Sequence, residues 1–147
     1  MVRSTVIQDM KRLPTVAGKH RTQVMKQIPK VIGKHVYANL YEIDEKIAGN
    51  LDELAKVVVE AARLGNMHIL EIVKRKFASY MGYDGGVSVI ALIEESHIAL
   101  HTWPESMYAT VDIYTCGEKS DPSIAFKHVL GVLRPKRHKM MSADRSN

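Results

Sequence analysis

The chain has 147 residues, 46% of them hydrophobic, which is enough for one domain with a closed core. No run approaches the roughly 18 apolar residues that span a bilayer. The N-terminus carries no apolar leader, so a cytoplasmic protein is expected. A single cysteine, Cys116, cannot form an internal disulfide, in keeping with a reducing compartment.

The formal net charge of +5 is concentrated at one end. Residues 1–30 hold seven Lys/Arg against Asp9 alone, and the remainder is nearly balanced. Residues 1–30 therefore read as a solvated, flexible basic extension, and 31–147 as one folded domain. No aromatics interleave with these charges, as they would in a single-strand binder. A second basic cluster, Arg134 to Lys139, reads as a solvated tail.

The periodicity from Val31 to Ile43 predicts a strand. Asn50, with Glu53 three residues on, has the pattern of an N-cap with a capping-box partner. Leu51, Leu54, Ala55, Val58, Val59 and Ala62 then form a helical apolar face that stops at Gly65. Met67 to Phe77 reads as a second strand, and the glycines of Met81–Gly86 as a turn. Val87 to Glu95 is a nearly continuous apolar run, typical of a central strand. His97 to His101 forms a further strand, with a turn at Pro104-Glu105-Ser106.

Tyr108 to Thr115 alternates cleanly, with Ala109, Val111 and Ile113 on one face. Asp121-Pro122 opens a second helix with a cap acceptor and a first-turn proline, running to about Leu133. Short connections between the later strands favour antiparallel pairing. The fold class is α+β, a two-layer sandwich with an antiparallel sheet and two helices on one face. The other sheet face must be wet or meet a partner.

Reactive side chains gather at the strand ends. Ser96 follows Glu94-Glu95, His97 and His101 come next, and Cys116 ends the following strand. If the strands are neighbours, these ends can converge in one pocket. A serine near a histidine suggests nucleophilic attack with proton transfer. The segment lacks the strand-to-helix elbow of a serine hydrolase. Zinc held by His97, His101 and Cys116 is poorly supported, because two histidines four apart on a strand lie about 13 Å from each other. Satisfied polar residues at strand ends are the plain alternative.

Several segments together resemble the small pyruvoyl-dependent S-adenosylmethionine decarboxylases and their arginine-decarboxylating branch. They are Glu95-Ser96-His97-Ile98, His101-Thr102-Trp103-Pro104-Glu105, Tyr108-Ala109-Thr110-Val111-Asp112 and Thr115-Cys116-Gly117. Gly86-Val87-Ser88 and the Asp121-Pro122 helix extend the match to about residues 31–135. The resemblance implies self-cleavage between Glu95 and Ser96, with Ser96 becoming a pyruvoyl group that binds the substrate amine as a Schiff base. It implies proton movement by His101 during processing, assistance from Ser88, and Cys116 as the proton donor in decarboxylation. No metal and no pyridoxal phosphate are implied. An (αβ)₂ dimer or higher oligomer, with sites near the subunit contact, and a place in polyamine biosynthesis follow in the same way.

Trp103 and Glu105 match substrate-pocket positions in the S-adenosylmethionine enzymes. The aromatic that stacks adenine there falls on Gly82 in this chain, and Tyr83 or Tyr80 is the candidate substitute. With that stack in question, and with Glu105 able to hold a guanidinium, the reading leans to L-arginine, giving agmatine and CO₂. The alternative is S-adenosylmethionine, giving S-adenosylmethioninamine for spermidine synthesis. A more distant reading is a non-catalytic nucleic-acid-binding domain that uses its basic arm, with no membrane role in any case.

Overall fold

The computed structural model describes residues 28–147. Residues 1–27, and with them most of the predicted basic extension, lie outside the described residues. The elements are β1 (Lys34–Tyr41), α1 (Glu45–Ala48), α2 (Leu51–Leu64), β2 (Ile69–Lys76), β3 (Val87–Ile93), β4 (Ser96–Trp103), β5 (Tyr108–Thr115), α3 (Pro122–Leu133) and β6 (Arg137–Asp144). The six strands form one antiparallel sheet in the order β2-β3-β4-β5-β1-β6. The expected two-layer α+β architecture is what forms, because the four central strands alternate buried and outward positions and both long helices have one apolar face. No described helix is long and apolar enough to cross a membrane.

The core lies between the sheet and the helices. Val36, Ala38 and Leu40 of β1 share one buried cluster with Val87, Val89 and Ala91 of β3, Ile98 and Leu100 of β4, and Val111 and Ile113 of β5. Leu54, Val57, Val58 and Ala61 of α2 and Ala125, Phe126 and Val129 of α3 close over them. Helix α2 covers β2, β3 and β4, and α3 covers β5 and β1. The Asn50 side chain caps α2 by accepting from the Glu53 N–H at 3.1 Å. The reciprocal half of that capping box is absent, since the Asn50 N–H donates to the Ile47 carbonyl instead. Asp121 caps α3, as its position before Pro122 predicts.

Two expectations are corrected. The basic cluster predicted as a tail leads into a strand: Arg137–Asp144 pairs along the whole of β1, from Tyr41↔Arg137 to Lys34↔Asp144. As an edge strand β6 leaves nearly every side chain exposed, so it carries no apolar alternation to announce it. A third helix, the single turn α1, is built by Asp44, whose carboxylate accepts from the N–H groups of Lys46 and Ile47.

The second face of the sheet is open. Tyr37, Val73, Ile90, Leu92 and Trp103 are each more than a third exposed there. The run Val87–Ile93 is thus apolar on both sides but buried on one only, with Ile90 and Leu92 facing outward.

Candidate active site

The β3–β4 hairpin turns at Glu94-Glu95, with Ile93 opposite Ser96. Ser96 has φ +145°, a region costly for a residue with a Cβ, by about 1–3 kcal/mol. Such a conformation persists only where the surroundings over-determine it, and here they do. The Cys116 N–H donates to the Glu95 carbonyl at 2.7 Å, and the Glu94 N–H donates to the His68 carbonyl at 2.9 Å. The Glu95 carboxylate accepts from the His68 N–H at 3.0 Å and from its ring Nδ1 at 2.6 Å. Gly117 lets the Glu95 side chain pass, since a Cβ there would lie 2.8 Å from its Cγ.

Cys116 is positioned from the other side. Ser96 pairs with Thr115, so Cys116 leaves β5 beside the Glu95–Ser96 peptide. Behind it a closed ring of hydrogen bonds runs from the Gly117 N–H to the Thr115 hydroxyl, on to the Ser120 hydroxyl, and back to the Gly117 carbonyl. Lys34 Nζ holds this loop by donating to the Ser120 carbonyl at 2.6 Å. The thiol of Cys116 remains exposed.

Burial pulls the Glu95 carboxyl upward, but the hydrogen bonds from the His68 backbone and ring outweigh it, so it ionises below the ordinary carboxylate range. The hydrogen bond to Glu95 raises His68, with the charges of Glu95 and Glu94 adding to it.

The other candidates gather at the far end of β4. Ser88 Oγ and His101 Nδ1 are 2.8 Å apart, on directly opposed residues of β3 and β4. The buried Thr102 hydroxyl fixes this end by donating to the Ala48 carbonyl and accepting from the Val87 N–H. A cleft of about 360 Å³ opens here, lined by Phe77, Tyr80, Asp84, Ser88, His101, Trp103 and Glu105, among others. The hydrogen bond from Lys76 keeps Asp84 below its ordinary pKa. Tyr83 is not among the lining residues; Tyr80 and Phe77 supply the aromatic faces. A larger groove of about 720 Å³ between α2 and β2 holds none of the candidate residues.

One chain therefore does not bring all the candidates into one pocket. Ser96, Glu95 and Cys116 stand at one end of β4, and Ser88, His101, Trp103 and Glu105 at the other. Five residues of strand separate Ser96 from His101, about 16 Å. His97 belongs to neither group: it shares the Asp112 carboxylate oxygen with His35, each ring nitrogen at 3.0 Å. A shared zinc on His97, His101 and Cys116 has no geometric basis. Among the described residues, the group close enough to share an ion is His68, Glu94 and Glu95. Sequence reasoning missed His68, which sits just ahead of a strand and within no motif.

A family model for S-adenosylmethionine decarboxylase matches residues 34–146. The chain belongs to this family. Its members are pyruvoyl-dependent carboxy-lyases, made as proenzymes that cut themselves into two chains and assemble into oligomers. They use a pyruvoyl group formed from a serine, with neither metal nor pyridoxal phosphate. The crystal structure of the adenosylmethionine decarboxylase from Aquifex aeolicus VF5 is similar to this chain at a TM-score of 0.71 and 30% identity. The similarity covers 80% of this chain and 92% of that one. Both comparisons favour S-adenosylmethionine decarboxylase over the arginine branch to which the sequence reading leaned.

Proposed function

We propose that this chain is a self-processing S-adenosylmethionine decarboxylase cut between Glu95 and Ser96. The observation that carries this reading is the Cys116 N–H directed at the Glu95 carbonyl, beside a Ser96 held at positive φ. Attack by Ser96 Oγ on that carbonyl carbon puts negative charge on the oxygen that the N–H already binds. The new C–O bond replaces the C–N bond. The hydroxyl proton passes through a base to the freed amine, leaving an ester. Loss of the Ser96 α-proton then breaks the ester C–O bond, releasing Glu95 as a free carboxylate and leaving a dehydroalanine. Its enamine tautomerises, takes up water and loses ammonia, giving the pyruvoyl group.

That group supplies an electron sink for the carbon that loses CO₂. Cys116, exposed beside residue 96, is the acid that returns a proton to that carbon. The Ser88–His101 pair is the base and relay for processing. It meets Ser96 when a second copy lays its open face on the first, with the two β4 strands running oppositely. The exposed Tyr37, Val73, Ile90 and Leu92 support that face as a contact.

The substrate reading rests on the cleft. One ground for the lean to arginine was the missing aromatic at Gly82, and Phe77 and Tyr80 in the cleft lining support a stacking face for adenine instead. Trp103 adds a third aromatic face, while Glu105 and Asp84 supply acceptors for ribose hydroxyls and for a cationic substrate. The test is CO₂ release measured with S-adenosylmethionine and L-arginine side by side. Turnover with S-adenosylmethionine is expected, and turnover with arginine alone would reverse the assignment.

A further inference from the structure

The scissile peptide is gripped from an unexpected quarter. Glu95 carries the carbonyl that Ser96 attacks, and its side chain is engaged twice by His68, 27 residues earlier. The backbone carbonyl of His68 also takes the Glu94 N–H, so a single residue holds both residues of the hairpin tip. The Glu95 side chain is 13% exposed, whereas that of His68 is 62% exposed. His68 thus contributes little to the core, and its ring covers the acid from the solvent side. With its carboxylate held by His68, its carbonyl held by Cys116 and its Cγ against Gly117, Glu95 has little freedom to turn its carbonyl away from Ser96.

We propose that His68 is a positioning residue for self-processing, clamping the Glu95 side chain so that its carbonyl stays on the Cys116 N–H while the Ser96 hydroxyl attacks. The inference rests on the cleavage site assigned above. Catalytic geometry of this kind tolerates little misplacement: an error of about 1 Å can cost on the order of a hundredfold in rate. His68 touches none of the reacting atoms and acts through Glu95.

The test follows loss of the 16.5 kDa full-length band by denaturing electrophoresis after rapid cell-free synthesis. His68→Ala is expected to slow cleavage about fivefold or more, the scale of one charge-assisted hydrogen bond lost at a half-open site. His68→Gln keeps a side-chain donor without aromatic bulk, and should recover most of the rate. A double-mutant cycle with Glu95→Gln separates a clamp from general loosening of the fold: the double variant should be little slower than the slower single. Wild-type cleavage in His68→Ala, or fully additive slowing in the double variant, overturns the clamp. A Ser96→Ala control distinguishes the two levels. If that control is also cut, the cleavage-site reading fails; if it stays whole while His68→Ala matures normally, the clamp alone fails.

Discussion

The amide N–H of Cys116 donates to the carbonyl oxygen of Glu95 at 2.7 Å, so one residue can serve two reactions with two different atoms. On the proposed reading its backbone N–H polarises the peptide to be cut, while its exposed thiol is left free to act as the acid in decarboxylation. Replacing the side chain leaves the amide in place. Cys116→Ala should therefore still mature into two chains, while decarboxylation by the matured protein falls by a factor of about 100 or more. Electrophoresis and a CO₂ assay on the same sample separate the two effects. An uncut Cys116→Ala precursor would assign the thiol, not the amide, to processing.

Because Ser96 and His101 occupy opposite ends of β4, a processing centre assembled from two chains should show complementation. Ser96→Ala and His101→Ala, carrying different tags, are each expected to remain uncut when produced alone. Produced together, they form mixed dimers with one complete centre: Ser96 from the His101→Ala chain and His101 from the Ser96→Ala chain. The His101→Ala chain should then be cut and its partner left whole. If both stay whole in mixed dimers, the two groups do not meet across chains.

Much of this was legible in the sequence where the signal is local. The Asp121-Pro122 helix start and the alternation of Tyr108–Thr115 depend on neighbouring residues, and both formed as read. Ser88 facing His101, and Cys116 beside Ser96, follow from antiparallel neighbours. The single convergent pocket did not follow. Five steps along a strand span about 16 Å, so the spacing from Ser96 to His101 already argued against one shared pocket within a chain. Strand β6 was missed because an edge strand with exposed side chains is held by main-chain bonds to β1, which leave no side-chain pattern. The grip of His68 on Glu95 joins residues 27 apart with no motif around the first.

The aromatic faces of the cleft make a separable prediction. If adenine stacks on Phe77 or Tyr80, alanine at the stacking position should raise KM for S-adenosylmethionine roughly 5- to 100-fold, in line with base–aromatic stacking energies. Tyr83→Ala, outside the cleft lining, should leave KM within about twofold on the same argument. An unchanged KM in both Phe77→Ala and Tyr80→Ala would move the base elsewhere.

The His68–Glu95 pair also sets a pH window for stability in the uncut Ser96→Ala chain. His68 is raised above its ordinary 6.5, so its contribution is complete below 6.5 and is lost as pH rises through the higher folded value. Glu95 is lowered from 4.5, so its contribution is complete above 4.5 and is lost as pH falls through the lower folded value. The pair contributes fully between these two ordinary values. Thermal melts with and without His68→Ala should differ most between pH 4.5 and 6.5, and converge as the pH rises above that window. A difference that grows toward alkaline pH would contradict the ion pair.

The whole scheme turns on whether the Glu95–Ser96 peptide converts itself, and intact-mass measurement of the purified protein asks this directly. Two chains are predicted, one ending at Glu95 and one beginning at position 96 with a ketone that borohydride locks to the substrate amine. Ser96→Ala should give one unbroken chain of about 16.5 kDa. An uncut wild-type protein of that mass with full decarboxylase activity, or a Ser96→Ala protein cut at the same bond, would contradict it.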